Sequence, residues 1–598
     1  MPDRNQTILL QAQRLRHVGQ LREAAQCIER LLAMDPSCCE ALRELAQIHT
    51  QSYSYDKALV YLNRTIEINA LDAHAYFERA KIFNETGQYL VAIQNYNLSL
   101  LMHPSCEQAR LEVGLCYEHL QNTEQAIKSY DSALSLNPSF ALAWYNKGNL
   151  QKSQHLYEDA LYSYQRALGV DSKLWPAWIN LGLCFYALKK ITFALISYDH
   201  AISLDCNNAL AYYNKANALR ALGHLMLAQH NYDIALILNP HFAQALSNRG
   251  LTFKERNLPE LAHQDFTAAL AIDPTLIDAK WNLALVHLMR GEYKLGWQGY
   301  ELRLHHPTLK QYLGVQVLNA PLWDGSQSIQ GKTLLVYCEQ GLGDAIQFCR
   351  YVPIMTQLGA RVIFQIPAAL KQLFACLEPG IKLNEANHPT PNTHYDFYCA
   401  LLSLPHALQN SLASVPEIFP LTPSSHYIDK WTKRLNPRLR TLSDSHTKYR
   451  YNNVGLVWRG NPSHKNDHNR SLKLTQMLDF LPKHVQFYVL QKDLTQAERS
   501  LLNPIPNFTI LSDELEDLCD TAAVCIQMDL VISVDTSVAH LSATLGKETW
   551  VLLPFCADWR WLIHHESSPW YPSVRLFRQD VVRDWNGPLT YMRKELDI

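Results

Sequence analysis

The sequence predicts a multidomain chain: an all-α array of repeated helical hairpins, followed by an α/β region of parallel sheets. Three observations carry this. Small residues recur every 34 positions through the first half. Apolar runs of strand length, separated by helical stretches, begin after residue 331. Two polar, turn-rich segments, 306–330 and 436–452, lie where the pattern changes.

The composition bounds the rest. With 598 residues, 47% hydrophobic and 18% charged, the chain can bury several cores and is not disordered. Lys+Arg (54) nearly balance Asp+Glu (56), so no electrostatic case exists for nucleic acid or an anionic membrane as partner. The 14 cysteines are scattered and form no C-x-x-C, which argues against zinc ribbons and disulfide scaffolds and for reduced thiols in a cytoplasm. Charge interrupts the N-terminal MPDRNQTILLQAQRLRHVGQ, and no apolar stretch reaches membrane-span length. A soluble, cytoplasmic protein is expected.

The repeats occupy residues 1–305. Ala24, Ala58, Ala92, Ala126, Ala160, Ala194, Ala228 and Ala262 are 34 apart, each followed four residues later by a large side chain (Ile28, Leu62, Tyr96, Tyr130, Tyr164, Tyr198, Tyr232, Phe266). Gly114, Gly148, Gly182 and Gly250 recur earlier in the unit, and Pro36, Pro104, Pro138, Pro240 and Pro274 at its end. The small alanine lets two helices approach, the large residue fills the seam, and proline stops the second helix. A ninth, atypical unit has Gly296 at the alanine position with Trp297 and Tyr300 following. This pattern resembles the tetratricopeptide repeat, which implies a right-handed superhelix of eight to nine hairpins. Asn146, Asn180, Asn214, Asn248 and Asn282 form a second ladder at the same period, on the first helix of each hairpin. First helices line the concave face in that family. A row of carboxamides there offers paired donors and acceptors to the backbone of an extended peptide. The other reading is that asparagine is simply a frequent repeat residue at this position.

Residues 306–330 read as a linker, so donor chemistry is expected of residues 320–598 alone. Strands are expected at 333–338 and 361–366, then at 453–458, 485–490, 530–534 and 549–553. Alternation of strand and helix implies parallel sheets. The two blocks, 331–435 and 453–598 around the linker 436–452, suggest two Rossmann-like domains facing a cleft. Ligands in such sheets sit at the carboxyl ends of strands.

Three polar segments follow such ends. Glu339-Gln-Gly-Leu-Gly-Asp344 places Gly341 and Gly343 in a tight turn, but Ile346 stands where a dinucleotide fingerprint needs its third glycine. Asp344 either caps the next helix or faces the cleft and takes a proton from an acceptor hydroxyl. Trp458–Ser471 crowds basic groups, with Lys465 and Arg470 able to hold a pyrophosphate. His464 and His468 in this segment lack a third metal ligand, and no metal is expected. Asp535-Thr-Ser-Val-Ala-His540 opens a helix where Thr536 and Ser537 suit a phosphate and Asp535 and His540 suit sugar hydroxyls. Capping and helix packing are the plain alternatives.

Together with Asp520-Thr-Ala-Ala523, Asp558-Trp-Arg-Trp561 and Ser568–Arg578, these segments resemble the heptosyltransferase-type glycosyltransferases of family 9, as fused to tetratricopeptide repeats in bacteria. The resemblance spans roughly 331–580. It implies the GT-B fold of two Rossmann-like domains, and inverting, metal-independent transfer from a nucleotide sugar with no further cofactor. Asp344 matches the family's base. Asp535, Thr536, Ser537 and His540 match its donor-binding segment, with Ser537 where the family has glycine. Lys465 matches its diphosphate ligand most closely, with Arg470 next. The architecture is similar to that of the protein O-GlcNAc transferases, whose catalytic half belongs to another family. The expected function is transfer of a sugar to an acceptor hydroxyl on a protein recruited by the repeats. Two rivals are a cell-surface glycan transferase with the repeats as docking module, and a non-catalytic repeat scaffold.

Overall fold

The computed structural model describes residues 2–307, 309–310, 318–377, 379–385, 394–443, 450–464 and 466–597. It divides into two compact units, Met1–Pro240 and His241–Ile598.

The first unit is built of helices alone. After Pro2–His17, helices of 14 and 13 residues alternate from Leu21–Met34 to Leu225–Leu238. The 34-residue period is thus one long and one short helix with their turns. Every seam alanine from Ala24 to Ala228 is fully buried, and the large residue four positions on is buried beside it. The recurring glycines explain themselves here. A Cβ on Gly114, Gly148 or Gly182 would lie 2.4, 2.8 or 2.4 Å from a ring carbon of Tyr130, Tyr164 or Tyr198. The aromatic ring occupies the place a side chain would need. Gly182→Ala is expected to cost about 1–3 kcal/mol through overpacking, read as a lower urea midpoint. An unchanged midpoint would show that the ring has room to yield.

The second unit begins with the remaining hairpins, Ala243–Glu255 with Pro259–Ile272 and Ile277–Met289 with Tyr293–Tyr300, closed by a 3-10 turn at Glu301–Leu304. Two parallel sheets follow. The first has β1 (Thr333–Tyr337), β2 (Arg361–Ile366), β3 (Ile381–Glu385) and β4 (Phe397–Ala400), in the order β3-β2-β1-β4. The second has β5 (Asn453–Val457), β6 (Gln486–Val489), β7 (Phe508–Ile510), β8 (Leu530–Val534), β9 (Thr549–Leu553) and β10 (Val574–Arg578), in the order β10-β9-β8-β5-β6-β7. The order reverses direction between β1 and β4 in one sheet and between β5 and β8 in the other.

The segments expected as linkers are not free of structure. Within 306–330, Trp323 is buried, its backbone N–H donating to the Tyr398 carbonyl at 2.8 Å, and Leu322 bridges to Tyr398. The helix Ser425–Ser443 runs into the segment 436–452. Its Trp431 and Leu435 pack in one cluster with Tyr488 and Val531, so residues 425–435, expected with the first sheet, lie against the second.

The last hairpin is equally committed to the sheets. Tyr293, Trp297 and Tyr300 are at most 3% exposed. Tyr293 stacks on Trp570, and Trp297 meets Phe348 and Trp559 edge-on. Arg303, fully buried, donates to Glu339 at 2.8 Å and to Glu301 at 2.6 Å. A donor-binding fragment that starts at residue 320, as expected from the sequence, leaves out residues 293 to 303, which pack in this core.

Candidate active site

The three polar segments sit at the carboxyl ends of β1, β5 and β8, the strands flanking the two reversals of order. β1 leads through Glu339 to the helix Leu342–Phe348. Glu339 is anchored by Arg303 and by the backbone N–H of Leu402 at 3.2 Å; burial raises its pKa against the pull of Arg303. Gln340 donates to the Tyr300 hydroxyl at 2.8 Å. The loop carrying Asp344 is therefore fixed from the last hairpin.

Asp344 has two partners. Its Oδ2 accepts the Gly341 N–H at 3.0 Å, which is the capping role. Its Oδ1 is ion-paired with the guanidinium of Arg560, a residue that the sequence reading assigned no role. It lies in the Asp558-Trp-Arg-Trp561 segment, but nothing in a tryptophan-flanked arginine says that it faces a loop more than 200 residues away. Arg560 also donates to Asp558 at 2.7 Å and lies over the Trp559 ring. Burial opposes its charge, and Asp344 and Asp558 outweigh that, so its pKa lies above the usual arginine value.

Opposite stands the helix Ser537–Thr544, following β8. No side chain caps its N-terminus; the Thr536 hydroxyl bonds Ser533 at 3.0 Å instead. The helix packs on Leu342–Phe348 so closely that a Cβ on Gly343 would meet the His540 ring at 2.9 Å. His540 is buried, stacked on Trp561, and shares a 3.0 Å hydrogen bond between Nδ1 and the Tyr571 hydroxyl. Its Nε2 is 3.8 Å from Asp535. Burial, with Arg560 adding to it, pushes its pKa down to about 3, so the ring is neutral at neutral pH. Burial and the Asp558 carboxylate push Asp535 up to about 6, against Arg470 and Arg560. Arg470 is oriented by the Asp535 carbonyl at 3.1 Å and by Asp467 at 3.3 Å. Lys465 lies outside the described residues.

These two shifts oppose each other in acid. The unfolded chain protonates histidine near 6.5 while folded His540 does not, so stability drains as pH falls from about 6.5 towards about 3. Asp535 holds its proton more tightly when folded, so its contribution grows as pH falls through about 6 towards 3.8. The histidine shift is the larger. His540→Gln is expected to remove about 2–3 kcal/mol of the acid loss between neutral pH and about pH 4.5, read as a smaller drop in Tm than in the parent. An equal drop would show that His540 titrates normally.

The asparagine ladder is partly occupied. Asn180 accepts from Lys152 at 2.7 Å and donates to Asn149 at 2.9 Å. Asn282 accepts from Lys254 at 2.7 Å and donates to the Asp278 carbonyl at 2.9 Å. Asn214 is buried with its amide nitrogen unpartnered, Asn146 is half-buried, and the backbone carbonyl of Asn248 accepts from the Thr252 hydroxyl at 2.8 Å. Lysine at the end of one first helix thus reaches asparagine in the next, as Arg16 reaches Glu44 at 2.6 Å earlier in the array.

Among the described residues no cluster of three or more His, Cys, Asp or Glu is arranged for a metal, and no helix is long and apolar enough to cross a membrane.

Family models match the repeats. A tetratricopeptide-repeat model matches residues 9–74 and 213–277, and a second TPR model residues 114–155. The chain is 26% identical over 343 residues to Protein FlbA of Caulobacter vibrioides, covering 50% of this chain and 52% of that one. It is 27% identical over 117 residues to Protein O-mannosyl-transferase TMTC1 of Mus musculus, covering 19% of this chain and 12% of that one. The chain thus spans about half the length of the first relative and far less of the second. Among solved structures, the TPR protein YrrB matches 31% of this chain and 95% of its own at 23% identity and TM-score 0.28. A MamA structure matches 28% and 92% at 21% identity and TM-score 0.27. The helices up to Met289 are tetratricopeptide repeats, followed by a region of parallel sheets.

Proposed function

We propose that this chain is a glycosyltransferase of GT-B type, its two parallel sheets acting as Rossmann-like domains that hold a nucleotide sugar between them. One observation carries the reading: the Gly343–Asp344 turn beyond β1 meets the uncapped helix Ser537–Thr544 beyond β8 through Gly343, and each follows a strand at which its sheet reverses order. That is where open α/β sheets take ligands. Asp344 accepts the acceptor's hydroxyl proton as its oxygen attacks the anomeric carbon. The bond to the diphosphate breaks on the opposite face, which inverts the configuration. Arg470 and the N–H groups of the Ser537 helix receive the charge on the leaving group. Asp535 and neutral His540 orient sugar hydroxyls. No step requires a metal. The test is a panel of nucleotide sugars titrated into the full chain by calorimetry without Mg²⁺, followed by an assay for sugar transfer. Donor binding that depends strictly on Mg²⁺ would exclude the metal-independent mechanism.

The acceptor is a protein held by the repeats. Support comes from the ladder, and from the name of one relative, a protein O-mannosyl-transferase. A second reading, transfer to a glycan with the repeats as a docking module, draws on the lysines that already occupy Asn180 and Asn282. Asn146→Ala with Asn214→Ala decides between them. Turnover of a protein acceptor is expected to fall about tenfold through two lost hydrogen bonds, at unchanged donor KM. Unchanged turnover removes the ladder from acceptor binding.

A further inference from the structure

Arg560 has more anionic partners than the roles above use. Its Nη2 pairs with Asp344 from the first sheet's loop, its Nη1 with Asp558 at 2.7 Å, and its Nε is buried without a partner. Three N–H directions on one planar group suit a ligand with several oxygens on neighbouring centres, such as a diphosphate. Burial is uneven across the cluster. The Arg560 side chain is 8% exposed, whereas Asp344 is 21% and Asp558 40%. The arginine is fixed, its guanidinium 4.2 Å above the Trp559 ring and 5.9 Å from that of Phe348. The carboxylates are the more exposed members, each held besides by one backbone N–H, Asp344 by that of Gly341 at 3.0 Å and Asp558 by that of Arg560 at 3.1 Å.

Charge decides how an anion enters. Asp344, Asp467, Asp535 and Asp558 gather around Arg470 and Arg560, with Arg350 and His464 farther off and His540 neutral. A diphosphate added on top of these carboxylates meets net repulsion. A diphosphate that replaces one of them on a guanidinium does not.

We propose that Arg560 binds the donor's diphosphate in exchange for Asp344, so that seating the donor is what releases the base. The proposal rests on the glycosyltransferase reading and deepens it. It gives the reaction an order, because Asp344 turns to an acceptor hydroxyl only after the diphosphate has taken its place on Arg560. It also assigns Asp558 as the second displaceable carboxylate and Trp559 as the platform that keeps the guanidinium in position.

Inorganic pyrophosphate, titrated calorimetrically into the full chain, tests the exchange without knowledge of the sugar or base. Asp344→Asn removes the competitor while Asp558 still neutralises Arg560, and is expected to tighten pyrophosphate binding about tenfold. Arg560→Lys, which keeps the charge and loses the fork, is expected to weaken it about tenfold or more. Equal affinity of the parent and Asp344→Asn overturns the exchange and leaves the donor-site reading standing. Pyrophosphate binding by neither protein overturns both. The Asp344→Asn comparison suffices by itself should Arg560→Lys destabilise the chain.

Discussion

Asp344→Asn is expected to slow sugar transfer by about 10²–10⁴-fold at saturating donor, with melting close to that of the parent. Both of the residue's structural roles survive the change well enough to keep the fold. Asparagine oxygen still accepts the Gly341 N–H that Asp344 accepts at 3.0 Å. Arg560 retains Asp558 at 2.7 Å, so no buried guanidinium is left alone. What asparagine lacks is a group that takes a proton at neutral pH. A capping residue and a catalytic base therefore give opposite outcomes in the same variant. Transfer near the parent rate would exclude Asp344 as the base, and would leave it as a cap and a counter-ion for Arg560.

Removing the last hairpin is expected to unfold the sheet region. A fragment of residues 320–598 should fail to melt cooperatively, whereas residues 241–598 should melt as a folded protein. Tyr293, Trp297 and Tyr300 are at most 3% exposed and pack on Phe348, Trp559 and Trp570. At roughly 150–250 Å² of buried surface per aromatic ring and about 25 cal/mol per Å², the three supply on the order of 10 kcal/mol. That rivals the whole net stability of a typical domain. The shorter fragment also strips Arg303 from Glu339, leaving a buried carboxylate whose lost partner costs about 3–5 kcal/mol. Circular dichroism melts of the two fragments settle the point. A cooperative transition of 320–598 at the temperature of the longer fragment would show the hairpin to be dispensable.

The strands that the sequence displays and those it conceals differ by position in the sheet. β1, β2, β5, β6, β8 and β9 were all expected; they are inner strands, buried along most of their length, and read as continuous apolar runs. β3, β4, β7 and β10 escaped notice, and they are the four sheet edges. Ile381-Lys-Leu-Asn-Glu385 and Val574-Arg-Leu-Phe-Arg578 mix charge with apolar residues because an edge strand is solvated on one side. The site divides similarly. Glycine-rich and helix-opening segments announce themselves through backbone requirements, as at Gly343, where the His540 ring fills the place of a Cβ. Arg560 needs no special backbone. Its meaning comes from Asp344, and only the packing of the two sheet regions supplies that neighbour. The asparagines were legible as a ladder, but not the lysines that reach Asn180 and Asn282 from the preceding hairpins.

The tyrosine that fills each seam stands 16 residues after the glycine it covers, at Gly114 and Tyr130, Gly148 and Tyr164, and Gly182 and Tyr198. Such a contact closes a short loop inside one hairpin, at small entropic cost and with no help from distant chain. The sheets have no such shortcut. β5 pairs directly with β8, Val457 opposite Ser533, and the chain between them must form β6 and β7 on the other side. Folding of this protein is therefore expected to run at two speeds. Hairpins close early and one at a time as the chain is synthesised, while the sheet region waits for its late strands. Until β8 arrives, the apolar length of β5 stands open, and this interval is when the chain is most exposed to aggregation.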